Sequence, residues 1–191
     1  MSMDVLVHRV RCLDYQPQAI VTMKATGSWS PHALVAVARE NGHVQLQSLD
    51  EKLRTLATVP GYQARPVNSL AWIYDGPSAS ASTNAEDDGE DKKVSTATAT
   101  PRLVGATREG NLFLVDFASQ SFTATLASGG GGIFALESLC TLPGCENMVA
   151  ASCEDGSVRI FQYHHRDIGN GSFRLVSNIS SAGAPVLSLA W

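Results

Sequence analysis

The 191-residue sequence predicts an all-β fold, an incomplete β-propeller of about three four-stranded blades plus the first strand of a fourth. Three observations predict it. A strand–turn–strand pattern with a glycine in its turn occurs three times. The turn glycines Gly42, Gly110 and Gly156 lie 68 and 46 residues apart, and removing a biased segment of 27 residues shortens the first interval to 41. Both spacings sit near the ~40–45 residues of a propeller repeat with four strands per blade. Finally, a second marker runs in register: Val67–Trp72 (VNSLAW) nearly coincides with Val186–Trp191 (VLSLAW), and Ile20–Ala25 and Ile133–Ser138 occupy the same place in their units.

The hairpin is clearest in Met148–Tyr163. Val149, Ala150 and Ala151 form a short apolar run that reads as a buried strand, and Glu154-Asp155-Gly156 breaks it. Asp-Gly favours a primed hairpin turn, because both residues tolerate positive φ and glycine does so at no steric cost. Val158 and Ile160 then alternate with Arg159 and Phe161, the period of a second strand. Ala33–Leu49, turning at Gly42, and Arg102–Phe117, turning at Gly110, repeat the pattern. Gly42, Gly110, Asp155 and Gly156 are therefore expected to be structural turn residues.

In chain order, residues 4–15 (DVLVHRVRCLDY) read as a strand, with His8, Arg9 and Arg11 the most basic spot outside the biased segment. A structural strand that completes the last blade and removes a sheet edge is the favoured reading, and contact with RNA phosphates or a partner the alternative. Blade one runs from Ala19 to Val59: an inner strand at 19–25, the hairpin 33–49 and an outer strand Leu53–Val59. Blade two starts at Val67, is interrupted by an insertion at 75–101, resumes at Arg102 and ends with Ser121–Ala127. The core of that insertion, Ser78–Thr100, is rich in Ser, Ala and Thr around the acidic cluster Glu86–Asp91. It lacks the apolar surface to offset ordering entropy, so a disordered surface loop is expected. Blade three follows Gly129–Gly132 with strands at 133–138, 147–153, 157–163 and 172–179. Blade four contributes Val186–Trp191. Three blades and a strand leave apolar sheet faces open, so the chain is expected to be the N-terminal part of a longer propeller or a truncated gene product.

Composition narrows the function. The net charge of −4 resides in the insertion, outside which 12 bases balance 12 acids. A neutral body disfavours binding to DNA or anionic membranes by bulk electrostatics. Four cysteines, unevenly spaced, with no N-terminal apolar segment and no run near ~20 apolar residues, point to a reducing compartment, cytosolic or nuclear, and to no membrane association. The sequons at Asn170 and Asn178 carry little weight without a secretory signal.

Catalytic and cofactor signals are weak. Gly129–Gly132 lacks the Lys-Ser/Thr and helix of a phosphate loop, and a flexible inter-blade turn is favoured. Cys140 and Cys145, with Cys153, His164 and His165 nearby, lack the tight paired spacing of structural zinc, so buried cysteines on adjacent strands are favoured. No nucleophile elbow, H-E-x-x-H or calcium-loop pattern occurs. Glu40, Glu109, Glu154 and Asp155 recur at one place in the repeats, as turn residues do and an acid–base pair would not. Trp72 and Trp191 recur likewise and read as core. A non-enzyme with no cofactor, no metal and no small-molecule substrate is expected.

Cys153–Gln162 (CEDGSVRIFQ) resembles the end of a WD repeat, with Phe161-Gln162 in place of Trp-Asp; Asp116 keeps the Asp in blade two, and the Gly-His signature is missing. Val7–Arg11 followed by Tyr15 and Pro17, the glycine-rich entry to Ile133, and Cys153–Gln162 resemble in order the N-terminus of the cirhin family. Those are nucleolar WD-repeat proteins of the small-subunit processome, with two tandem propellers and a C-terminal tail. The resemblance implies a WD-repeat β-propeller acting as a non-enzymatic scaffold in the nucleolus. It would bind sibling WD-repeat subunits and early pre-rRNA, in rRNA processing or transcription. A generic WD-repeat adaptor elsewhere in the cell, such as a ubiquitin-ligase receptor, is the alternative.

Overall fold

The computed structural model describes residues 18–27, 33–50, 52–61, 65–75, 100–142, 144–165, 171–180 and 183–190, and all regular structure among them is strand. The first sheet holds β1 (Ile20–Ala25), β2 (Leu34–Arg39), β3 (Val44–Ser48) and β4 (Arg54–Val59). The second holds β5 (Ser69–Asp75), β6 (Thr100–Ala106), β7 (Asn111–Asp116) and β8 (Ser121–Ala127). The third holds β9 (Ile133–Ser138), β10 (Met148–Cys153), β11 (Ser157–His164) and β12 (Ser172–Ser180). Each sheet is an antiparallel meander with its strands in chain order. Sequential antiparallel pairing produces this order without crossovers, even between β5 and β6, where residues 76–99 intervene.

The period-two alternation of side chains fixes how the sheets stack. Leu70, Trp72, Leu103, Phe113 and Val115 of the middle sheet pack with Ala36, Ala38, Val44 and Val59 of the first. Their neighbours Ala71, Ile73, Val104, Ala106, Leu112 and Leu114 face the other way, onto Leu136, Val149, Ala151, Phe161 and Tyr163 of the third. A sheet buried on both faces needs apolar residues at consecutive positions, which is why Leu70–Tyr74 and Leu112–Val115 read as unbroken apolar runs. Among the described residues, the outer sheets have one covered face each. They carry the exposed apolar side chains: Ile20, Met23 and Leu56 on the first, Leu175, Val176 and Ile179 on the third. The arc is open.

Polar bonds near the inner strands lock the sheets together. The Trp72 indole N–H donates to the Lys24 carbonyl at 3.0 Å, the Asn68 amide donates to the Ile133 and Phe134 carbonyls at 3.1 and 3.0 Å, and the Leu136 N–H donates to Ser69 Oγ at 2.9 Å. Lys24 Nζ also reaches Glu137 Oε1 at 2.7 Å, tying β1 to β9.

Three details differ from the sequence reading. The strands flanking the insertion are longer than expected: Asp75 pairs with Thr100 and Tyr74 with Pro101, so these residues belong to the β5–β6 ladder. Residues 76–99, and the expected disordered loop on them, lie outside the described residues. Val186–Trp191 forms no strand over its described part; Val186 N–H bonds to the Cys153 carbonyl at 3.4 Å, but no second strand supplies a ladder. An isolated extended segment has no partner for its backbone groups and gains no sheet stabilisation. Lastly, each outermost strand has a register shift against its neighbour, passing over Leu56 in β4, Ala124 and Thr125 in β8, and Val176 in β12. Such bulges twist an edge away from further pairing.

Candidate interaction surface

The three hairpin turns and the connectors between sheets meet on one face of the arc. In each turn the glycine N–H donates to the carbonyl three residues earlier: Gly42 to Arg39 at 2.8 Å, Gly110 to Thr107 at 3.1 Å, Gly156 to Cys153 at 3.2 Å. The glycines have φ of 82°, 85° and 81°, whereas Asn41, Glu109 and Asp155 before them are not at positive φ. These are three-residue loops closing with a glycine bulge, so the primed turn expected at Asp155-Gly156 is corrected. A type I′ turn, the primed turn that Asp-Gly favours, needs positive φ at both central residues, and here the glycine alone supplies it.

The position before the glycine has its own chemistry. The Asn41 side-chain oxygen accepts from His43 N–H at 3.1 Å, and Asp155 Oδ1 accepts from Ser157 N–H at 2.9 Å. Short Asx side chains reach a backbone amide two residues on. In the middle turn the Thr107 hydroxyl accepts from Asn111 N–H instead, at 3.3 Å, which frees Glu109 to pair with Arg65. The acids therefore do not share one place: Glu40 and Glu154 stand second in their turns, Glu109 and Asp155 third.

Each turn receives the connector that enters the next sheet. A Cβ on Gly42 would overlap the Arg65 carbonyl, and one on Gly110 the Gly131 carbonyl. Ser128 N–H donates to the Gly110 carbonyl at 2.7 Å, and Ile133 N–H to the Thr107 carbonyl at 3.2 Å. The Val186–Cys153 bond is the same contact one sheet later.

Gly129–Gly132 is held along its length, which corrects the expected flexible turn. Gly130 N–H donates to Ser128 Oγ at 3.2 Å, and that hydroxyl donates to the Gly131 carbonyl at 2.8 Å. Gly132 N–H donates to Glu154 Oε2 at 3.1 Å, while Glu154 and Asp155 N–H return bonds to the Gly132 and Gly130 carbonyls. Glycine is needed here because β-carbons at 130 and 132 would strike the Arg159 and Cys153 side chains and the Arg108 carbonyl. Arg159 completes the clasp, donating to the Ser128 carbonyl at 2.6 Å, Asp155 Oδ2 at 2.9 Å and Ser157 Oγ at 3.0 Å. The Ser157 hydroxyl and amide, then Arg159, hold the Asp155 carboxyl below its usual range. Burial pushes the Cys153 thiol up, the opposite of a reactive thiolate.

Between the first two turns lies a cavity of about 430 Å³. Ala19, Val21 and Pro66 give it an apolar side, and Glu40, Arg65, Arg108 and Glu109 line its polar part. The arginines of this face are occupied. Arg39 bonds Gln45 and the Gln18 carbonyl, Arg65 pairs with Glu109, Arg108 bonds Asn68, and Arg159 sits in the clasp.

His8, Arg9 and Arg11 lie outside the described residues, so the expected RNA or partner contact has no geometry here. Cys140 and Cys145 are half-buried and Cys153 buried, all as free thiols. Among the described residues no three His, Cys, Asp or Glu side chains are grouped to hold a metal. Trp72 is buried in the core and also bonds between sheets. The clasp of Ser128 and Arg159 and the Lys24–Glu137 pair escape sequence reading, because they join residues 31 and 113 positions apart through side chains with no local pattern.

No family model matches the chain. It is 24% identical over 185 residues to the U3 small nucleolar RNA-associated protein 4 homologs of Mus musculus and Homo sapiens, a protein also called cirhin. The match covers 97% of this chain but 22% of each relative, so the chain spans about a fifth of their length. Among solved structures, a chain of the mitotic checkpoint complex matches with a TM-score of 0.58 at 17% identity, over 93% of this chain and 42% of that one. A chain of the Chaetomium thermophilum polycomb repressive complex 2 matches at 0.51 and 17% identity, over 76% and 27%. Three stacked four-stranded meanders, with turns and connectors interlocked on one face, thus have the WD-repeat β-propeller fold, here as an arc that does not close.

Proposed function

We propose that this chain is part of a non-enzymatic WD-repeat scaffold subunit of the small-subunit processome, acting in ribosome biogenesis and pre-rRNA processing in the nucleolus. The observation that supports this most is the likeness to the U3 small nucleolar RNA-associated protein 4 homologs along 97% of the chain. The residues add a physical argument for protein partners. Binding to a phosphate backbone draws on net positive charge, whereas the described turn face sets Arg39, Arg65, Arg108 and Arg159 against Glu40, Glu109, Glu154 and Asp155, with Arg65–Glu109 and Arg159–Asp155 paired. That face suits a neutral, hydrogen-bonding protein surface, and the likeness to the U3 small nucleolar RNA-associated relatives supports sibling WD-repeat subunits as the partners. Direct contact with pre-rRNA falls to the basic segment His8, Arg9 and Arg11. The chain contributes the N-terminal part of the propeller.

The test is affinity purification of the tagged protein from nuclear extract. Recovery of other small-subunit processome proteins together with U3 small nucleolar RNA is expected, and ribonuclease treatment should leave the protein contacts in place. Recovery of ubiquitin-ligase subunits without processome proteins would overturn the reading in favour of a general adaptor.

A further inference from the structure

We draw no further inference here: the strongest candidate, the outermost strand of the third sheet with Leu175, Val176 and Ile179 exposed, is an unpartnered apolar surface, and nothing in the structure shows what covers it.

Discussion

Replacing Gly110 with alanine tests the interlock between a turn and the connector that follows it. Two costs combine at this position. At φ of 85° an L-residue is in the left-handed region, which costs about 1–2 kcal/mol. The added Cβ also meets the Gly131 carbonyl and lies 3.0 Å from Ser128 Oγ. Relieving that overlap moves backbone, and insertion into a filled space costs about 1–3 kcal/mol. The total is about 3 kcal/mol. Two other glycines separate the contributions. Gly144 has φ of 78° with nothing within 4 Å of its would-be Cβ, so Gly144→Ala carries the conformational cost alone. Gly132 faces the Arg108 carbonyl without a positive φ, so Gly132→Ala carries the overlap alone. Urea denaturation, read as a shift in midpoint at unchanged slope, measures all three. The expected order is Gly110→Ala as the largest loss, near the sum of the other two. If Gly110→Ala loses no more than Gly144→Ala, the packing of turn against connector is not holding the sheets together, and the argument for the interlock fails.

Arg159→Ala should destabilise the chain by about 2–3 kcal/mol, because it removes charge-assisted bonds and strands the Ser128 carbonyl. Arg159→Lys should not restore the loss, since an ammonium cannot reproduce the three-way fork; full rescue by lysine would show that only charge matters. Tyr74 has its phenol pushed up to about 12, mainly by burial and secondarily by the Cys140 thiol. Its stabilising effect is complete below the unfolded value of about 10 and is lost as pH rises toward 12. Ultraviolet titration should show a tyrosine step displaced toward pH 12, and Tyr74→Phe should remove it; a titration curve left unchanged by Tyr74→Phe would refute the burial argument. The Asp116 carboxyl is held below its ordinary range, first by the Ser119 hydroxyl and then by the Ala118 and Ser119 amides. A lowered folded value stabilises above the unfolded pKa of about 3.9 and is lost as pH falls through the folded one. The stability gap between the parent chain and Asp116→Asn should therefore be full at pH 7 and shrink below about pH 4; a gap independent of pH would contradict the hydrogen-bond assignment.

The sequence by itself determined the strands between Ile20 and Ser180 and their order. Short-range information suffices for both: period-two alternation marks a strand, and a glycine at a fixed place marks the turn joining two of them. The repeat spacing then carries the architecture, because units of this length bury their faces only by stacking on their neighbours. Gly42, Gly110 and Gly156 could be found in this way, since a left-handed turn position selects glycine locally. Tertiary structure decided the rest. Whether Asp155-Gly156 made a two- or three-residue loop depended on the cross-strand pairing around it. Whether Gly129–Gly132 was loose depended on Arg159 and Glu154 arriving from another hairpin. Val186–Trp191 nearly matches the sequence of Val67–Trp72 yet forms no strand over its described part. Backbone groups become a strand through a hydrogen-bonded neighbour, and β6 provides that neighbour for β5. The arginines of the turn face show the same division. The sequence shows them only as balanced charges, and the folded contacts reveal that Arg65 pairs with Glu109 while Arg159 ties the third sheet to the connector carbonyl of Ser128.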